Sequence, residues 1–138
     1  MAGYSGTPLP RKLGVKPGHQ VLAINAPADT PGGLDGLDLG EPDAEVHRAP
    51  AQGPYDVILI FCPDTKALHD AFPTALALLA KNGGLWVCWP KRSSKVPTDL
   101  SENPIREYGL AMGLVDNKVA AIDATWSGLR FVYRVADR

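Results

Sequence analysis

Three short runs of almost uninterrupted apolar residues, each followed closely by a proline, constrain the fold of this chain more than any other feature. They are residues 21–24 before Pro27, 57–61 before Pro63 and 85–89 before Pro90. Runs of this kind, separated by helical stretches, are typical of strands in a parallel sheet that is covered on both faces. The third run leads directly into a basic, hydroxyl-rich loop at 91–95. Because open sheets of this kind bind ligands at the carboxyl ends of their strands, we expect a functional site at this loop.

Length and composition limit the classes of function. The 138 residues have the size of one domain, which we assign to 1–138, and an apolar content of 45% is ordinary for a soluble globular protein. A formal net charge of −1 argues against nucleic-acid binding, because there is no basic excess to displace counterions from phosphates. No apolar stretch approaches the ~20 residues of a membrane span, and the N-terminus lacks the pattern of a signal peptide. We therefore expect a cytoplasmic protein without nucleic-acid or membrane partners; an oligomer is left open.

The sequence gives no indication of a metal site. Cys62 and Cys88 fall at the ends of neighbouring predicted strands, so their proximity allows a disulfide, but a reducing cytoplasm favours buried free thiols. The three histidines are widely separated and no Cys-x-x-Cys motif is present, which argues against structural zinc. The acidic residues at 35–45 lack the ligand spacing of an EF-hand loop, and a solvated acidic loop is the preferred interpretation.

The order of predicted elements defines the fold class. An N-terminal wrapping segment at 1–18 precedes a strand at about 20–25, and a Gly/Pro/Asp-rich crossover at 27–54 contains a short helix near 33–39 and a short strand at 45–48. A strand at 55–61, a helix from Asp64 to Lys81, a strand at 84–89, a helix from about 101 to Gly113 and strands at 118–123 and 129–135 follow. The five residues between the last two strands have hairpin length, so that pair is antiparallel. We predict a three-layer, Rossmann-like α/β domain with a mostly parallel sheet of about six strands.

This order resembles the class I methyltransferase version of the Rossmann-like fold. Within the resemblance, the segment 55–59 corresponds to the fourth strand of that fold, and 82–87 corresponds to the loop and fifth strand. Such enzymes bind S-adenosylmethionine with a glycine-rich loop after the first strand and an acid at the end of the second. Here residues 25–29 contain no glycine, and the strand at 45–48 begins with Glu45 and ends with Arg48. The resemblance implies the fold, with one βα unit deleted.

Whole motifs of the chain also resemble a small, uncharacterised bacterial domain-of-unknown-function family. The shared segments are GYSGTPL at 3–9, WPK at 89–91, TDL at 98–100, VDNKV at 115–119 and WSGLRF at 126–131. They span both termini, and the resemblance brings no activity, cofactor or partner with it.

The candidate ligand-binding residues follow from the predicted sheet. If the strand at 118–123 runs parallel to the earlier strands, its hairpin tip reaches the same edge as the basic loop. The residues that we assign to this rim are Lys91, Arg92, Ser93, Ser94, Asp99, Trp126 and Ser127. Two cations, several hydroxyls and an indole suit a phosphate- or carboxylate-bearing ligand. The alternative interpretation is that the cations are solvated loop charges and that Asp99 caps a helix.

No constellation for catalysis is recognisable. There is no Gly-x-Ser-x-Gly elbow, no phosphate-binding Gly-x-x-x-x-Gly-Lys loop and no histidine that spacing pairs with Cys62. We therefore expect a non-catalytic domain that binds a small anionic metabolite or acts in regulation, with the cofactor unknown. Two alternatives stay open: an atypical or degenerate S-adenosylmethionine-dependent methyltransferase, and a protein-interaction module.

Overall fold

A computed structural model of the chain describes residues 9–25 and 45–138. Residues 1–8 of the predicted wrapping segment and residues 27–44 of the predicted crossover, including the short helix near 33–39, lie outside these residues. The strands are β1 (Gln20–Ile24), β2 (Glu45–His47), β3 (Tyr55–Phe61), β4 (Leu79–Pro90), β5 (Leu114–Ala121) and β6 (Trp126–Tyr133). The helices are α1 (Leu9–Leu13), α2 (Thr65–Leu78) and α3 (Glu102–Ala111), with 3-10 turns at Arg92–Ser94 and Val135–Asp137. Within this part of the chain, no helix is both long and apolar enough to cross a membrane.

The strands form one mixed sheet in the order β2-β1-β3-β4-β6-β5. β2, β1, β3 and β4 pair in parallel, whereas β6 is antiparallel to both of its neighbours. β5 therefore runs in the same direction as β4, and the turn between β5 and β6 lies at the carboxyl edge of the sheet. The predicted fold class is confirmed, including the antiparallel C-terminal hairpin.

Apolar residues cover both faces of the sheet. The face that we call the α2–α3 face carries the larger cluster, in which Leu68 and Phe72 of α2 and Ile105 of α3 pack on the central strands. The opposite, α1 face carries a second cluster that includes Leu13 and the indole of Trp86. Alternate residues of β4 therefore contribute to different cores, which explains why its apolar run is continuous.

β4 begins earlier than the sequence predicts. Helix α2 ends at Leu78 rather than at Lys81, and β4 begins at Leu79 rather than at 84, so that Asn82 and Gly83 lie within the strand. A bulge separates the pairing of Tyr55 with Leu79 from that of Val57 with Gly84. A Cβ added at Gly83 would lie 2.8 Å from the carbonyl O of Asp56. Gly83 thus permits β3 and β4 to approach closely. This contact joins residues that are far apart in sequence.

The last two strands are confirmed as an antiparallel hairpin, but both begin before their predicted positions. β5 starts at Leu114 rather than at 118, and β6 starts at Trp126 rather than at 129. β5 is an edge strand whose middle residues are exposed. The limits of this strand therefore cannot be recognised from a run of apolar residues.

Both longer helices follow a residue of a type that commonly occupies the N-cap position. Asp64 is the N-cap of α2 and accepts a hydrogen bond from the amide of Ala67 at 2.8 Å. Pro73 lies inside α2, yet the helix continues past it as one element. Ser101 occupies the N-cap position of α3, whose buried residues include Ile105 and Gly109. Both helices thereby place their N-terminal ends at the carboxyl edge of the sheet.

Candidate functional site: a basic groove at the carboxyl edge

The basic loop and the β5–β6 turn meet at the carboxyl edge of the sheet. Pro90 at the end of β4 is the ladder partner of Trp126 at the start of β6. One residue later, the amide of Lys91 donates to the carbonyl O of Thr125 at 2.9 Å. These contacts fix the beginning of the loop at 91–95 beside the hairpin.

The backbone of the basic loop is a tight turn. After the 3-10 turn at Arg92–Ser94, Lys95 adopts a left-handed conformation with φ of 62°. The Ser94 hydroxyl donates to the carbonyl O of Lys91 at 2.6 Å and accepts from the amide of Val96 at 3.2 Å. Ser94 therefore stabilises the turn, while the neighbouring Ser93 is exposed. The turn directs the chain back towards the start of α3.

A groove of about 790 Å³ opens between this turn and α3, and it has the size of a small-molecule site. Residues 89–92, 95–98 and 100–103 line it. The lining contains three cations, Lys91, Arg92 and Lys95, of which Lys91 is partly buried and the other two are exposed. Glu102 is the one acid among the lining residues. We call this feature the basic groove.

The charge of Glu102 is already paired. Arg106, one turn further along α3, bonds the carboxylate of Glu102 through Nη2, that of Asp116 through Nε at 2.8 Å and the side-chain oxygen of Asn103 at 2.9 Å. The pKa of Arg106 is raised, first by Asp116 and then by Glu102. Arg106 therefore offsets part of the charge of Glu102, and the three cations of the lining outnumber its one acid.

Asp99, a predicted site residue, interacts with α2 instead of lining the groove. Its Oδ1 accepts from the amide of Thr65, the first residue of α2, at 2.8 Å. The backbone and hydroxyl of Thr65 together lower the pKa of this carboxyl. Together with Asp64, Asp99 satisfies free amides at the start of α2. Asp99 is the acid closest in sequence to the basic loop, but its charge acts on the N-terminus of α2 and not on the groove.

The groove wall also holds hydrogen-bond donors that the sequence analysis did not single out. The hydroxyl of Ser101 makes no capping bond to α3, and both Thr98 and Ser101 line the groove. The Thr98 oxygen accepts from the amide of Leu100 at 3.1 Å, which leaves its proton free to donate. Position in the chain, a few residues after the basic loop, was the signal that could have found these residues.

Trp126 and Ser127 lie beside the groove but face opposite sides of the sheet. The indole of Trp126 is buried on the α1 face, where it contacts Phe61 edge to face at a centroid distance of 5.2 Å. Ser127, which is only partly buried, pairs with the groove residue Trp89 across the β4–β6 ladder. The structure therefore brings Lys91 and Arg92 together in the groove, and it places the Trp126 ring on the other face.

Neither cysteine is placed as an activated nucleophile. Cys62 and Cys88 are free, and they belong to different clusters on the two faces of the sheet. Burial, and then the charge of Asp64, raise the pKa of Cys62 to about 12, and burial also raises the pKa of Cys88. Thiols with raised pKa values are poor nucleophiles near neutral pH. Within residues 9–25 and 45–138, no cluster of histidine, cysteine and acidic side chains could hold a metal.

The sheet also has a topological switch point, between β1 and β3. The chain leaves β1 towards β2 on one side and returns to β3 on the other. Crevices at such points are the usual ligand sites of open α/β sheets. Asn25, directly after β1, adopts the left-handed conformation with φ of 58°, which glycine adopts most readily. Residues 26–44, which follow, lie outside the described part of the chain. The lack of a glycine-rich loop after β1 is therefore known from the sequence alone.

Comparison with solved structures shows the fold. No family model matches the chain, and no curated protein does. A ribosomal protein L11 methylase from Lactobacillus delbrueckii subsp. bulgaricus is similar, with a TM-score of 0.57 and 12% identity over 91% of this chain and 75% of that one. Aeropyrum pernix fibrillarin with natively bound S-adenosyl-L-methionine is similar with a TM-score of 0.55 and 14% identity, over 94% of this chain and 70% of that one. The magnesium protoporphyrin IX methyltransferase of Synechocystis PCC 6803 is similar with a TM-score of 0.53 and 15% identity, over 86% of this chain and 71% of that one. The chain has a methyltransferase-like fold; the resemblance to an uncharacterised bacterial family stays a prediction.

Proposed function

We propose that this domain binds a small anionic ligand in the basic groove. The observation that carries the proposal is the charge distribution of the groove. Three cations line it, while the two acids within residues 91–103, Asp99 and Glu102, are bound to Thr65 and Arg106. Arg92 supplies planar donors and the two lysines supply compact charges, a combination that suits phosphates and carboxylates. Of the residues proposed from sequence, Lys91 and Arg92 bind the ligand directly and Ser94 stabilises the turn that carries them. Ser93, Asp99, Trp126 and Ser127 lie near the groove without lining it.

The double substitution Lys91→Ala/Arg92→Ala tests this function. Wild type with inorganic phosphate, glucose 6-phosphate, AMP or citrate is followed by thermal denaturation. A ligand present at ~30 times its Kd should stabilise the native state by about 2 kcal/mol, which raises Tm by roughly 6–8 °C. We expect the double variant to lose most of that shift, because two of the three groove cations are gone.

A matched control removes the same charge elsewhere. Arg11→Ala/Lys16→Ala alters α1 and the loop before β1, and Lys16 lies towards the amino edge of the sheet. This control should retain the ligand-induced shift of wild type. If no anion of the panel stabilises wild type more than Lys91→Ala/Arg92→Ala, the proposal is wrong. Equal loss in the control would indicate a response to net charge alone, which would also contradict a defined site.

The second candidate function is that of an atypical S-adenosylmethionine-dependent methyltransferase. The comparisons favour it more directly than they favour a non-catalytic domain, because two of the similar structures contain this cofactor. Its binding site would be the switch point between β1 and β3; β3 separates this point from β4, whose end lines the groove. Asn25 would then provide the left-handed backbone that a glycine provides in such enzymes.

Calorimetry distinguishes the two candidate functions. If the switch point binds the cofactor, S-adenosylmethionine and S-adenosylhomocysteine should bind with Kd values in the micromolar range. Lys91→Ala/Arg92→Ala should leave this binding unchanged, since the substitutions lie in the basic groove. If neither ligand produces a heat of binding at millimolar concentration, the methyltransferase hypothesis is excluded. Cofactor binding that the double variant abolishes would place the cofactor in the groove and contradict a switch-point site.

A further inference from the structure

The basic groove has an apolar wall in addition to its cations. Val96 and Pro97 follow the basic turn and line the groove, and Val96 is 42% exposed. Trp89, Pro90 and Leu100 form the deeper, buried part of the lining. When a ligand covers an exposed aliphatic side chain beside such residues, apolar surface is removed from water, and this favours binding. The groove therefore suits a ligand with an apolar part as well as a charged one.

The number of uncompensated charges indicates how highly charged the ligand head is. A carboxylate carries one charge, and one arginine side chain satisfies it through two parallel hydrogen bonds. The basic groove provides an arginine and two lysines, and its one acid is paired with Arg106. A phosphate ester carries roughly −1.5 to −2 charges at pH 7 and has three strongly accepting oxygens. Three cations around one head group are accordingly better matched by phosphate than by carboxylate.

We infer that the ligand of the basic groove is an organic phosphate, with its phosphate head among Lys91, Arg92 and Lys95 and its apolar body against Val96 and Pro97. This inference rests on the proposed function and specifies its ligand class. It assigns a role to Lys95 and to Val96, and the Val96 side chain determines preference for the organic part without contributing charge.

Four small probes separate the contributions of charge and apolar surface. Phenyl phosphate has both parts, inorganic phosphate has the head, benzoate has the body with a single charge, and benzyl alcohol has the body alone. Affinities are measured by NMR chemical-shift titration of the wild-type chain at constant ionic strength. We expect phenyl phosphate to bind about tenfold more tightly than either inorganic phosphate or benzoate, which corresponds to 1.4 kcal/mol. Benzyl alcohol should show no saturable shift.

Two substitutions assign the contributions to residues. Val96→Ser should weaken phenyl phosphate about three- to tenfold, towards the affinity of inorganic phosphate, and leave inorganic phosphate unchanged. Lys95→Ala should weaken both phosphates by a similar factor. Val119→Ser is the matched control, because Val119 is 49% exposed on β5 and does not line the groove. All three positions are exposed, so the variants are expected to fold.

The outcomes distinguish this inference from the proposed function. If none of the anions binds, both are wrong. Benzoate binding as tightly as phenyl phosphate would overturn the phosphate assignment while leaving the anion-binding function intact. Inorganic phosphate binding as tightly as phenyl phosphate, or an unchanged affinity in Val96→Ser, would overturn the apolar part of the assignment. The expected order of affinities, lost selectively in Val96→Ser, supports the organic phosphate.

Discussion

Replacing Trp86 by alanine is expected to lower the free energy of unfolding by about 3–5 kcal/mol. The side chain is fully buried on the α1 face of the sheet. Gly128 on the adjacent strand makes room for the ring, since a Cβ added there would lie 2.9 Å from Cε3 of Trp86. Truncation would leave a cavity between β4, β6 and α1 that the surrounding backbone cannot fill. Urea unfolding followed by far-UV circular dichroism measures the loss by linear extrapolation.

Two Trp→Phe substitutions separate the indole N–H from the volume of the ring. Trp86 Nε1 donates to the carbonyl O of Leu13 at 3.1 Å, so Trp86→Phe leaves a buried carbonyl without its donor and should cost about 1–3 kcal/mol. Trp126 Nε1 is buried without an acceptor among residues 9–25 and 45–138. Trp126→Phe removes a donor that has no acceptor within the described part of the chain, and we expect a smaller loss there. Equal losses at both positions would contradict a stabilising role for the bond to Leu13.

The central strands could be predicted from sequence because both of their faces are buried. β3 was predicted at its observed limits and β1 to within one residue, since nearly every position in them is apolar. The start of β4 could not be predicted in this way. Its first residues continue the apolar period of α2, and Asn82, Gly83 and Gly84 have the composition of a helix C-cap. Pairing with β3, a long-range interaction, decides their conformation.

The position of the candidate site could be predicted, whereas its composition could not. A basic loop that directly follows a buried strand must lie at the carboxyl edge, which is where Lys91 and Arg92 are found. The local sequence does not show that Asp99 binds Thr65 or that Arg106 holds Glu102, because these partners depend on how helices pack. It therefore does not show which acids are held away from the cations of the groove.

The face on which an aromatic residue lies depends on strand register. Trp126 and Ser127 are adjacent in sequence, and a shift of one residue would exchange their faces. With Pro90 opposite Trp126, the indole lies on the α1 face and Ser127 lies on the side of Trp89. The sequence predicted the hairpin but not its register, because β6 was expected to begin three residues later. A role for Trp126 in ligand binding stays a prediction, and its ring contacts Phe61.

Gly109→Ala is expected to lower the free energy of unfolding by about 1–3 kcal/mol, although alanine is ordinarily the better helix former by about 1 kcal/mol. Gly109 lies in α3 where the helix packs on β6. A Cβ at this position would lie 2.1–2.6 Å from three ring atoms of Phe131. That ring is fully buried and contacts Phe72 edge to face, so it cannot move aside without disturbing the core of the α2–α3 face. Overpacking should therefore outweigh the gain in helix propensity.

Gly84→Ala is the matched control for Gly109→Ala. A Cβ there would lie only 2.3 Å from Nε of Arg130, but the obstructing group is the end of a long, partly buried side chain that can turn towards solvent. We expect a change of ~0.5 kcal/mol or less. In a double-mutant cycle, Phe131→Leu should relieve part of the loss in Gly109→Ala, because the shorter side chain frees the space that the methyl group needs. Urea unfolding of all four proteins measures the coupling, and a Gly109→Ala variant as stable as wild type would show that α3 can shift away from β6 at no cost.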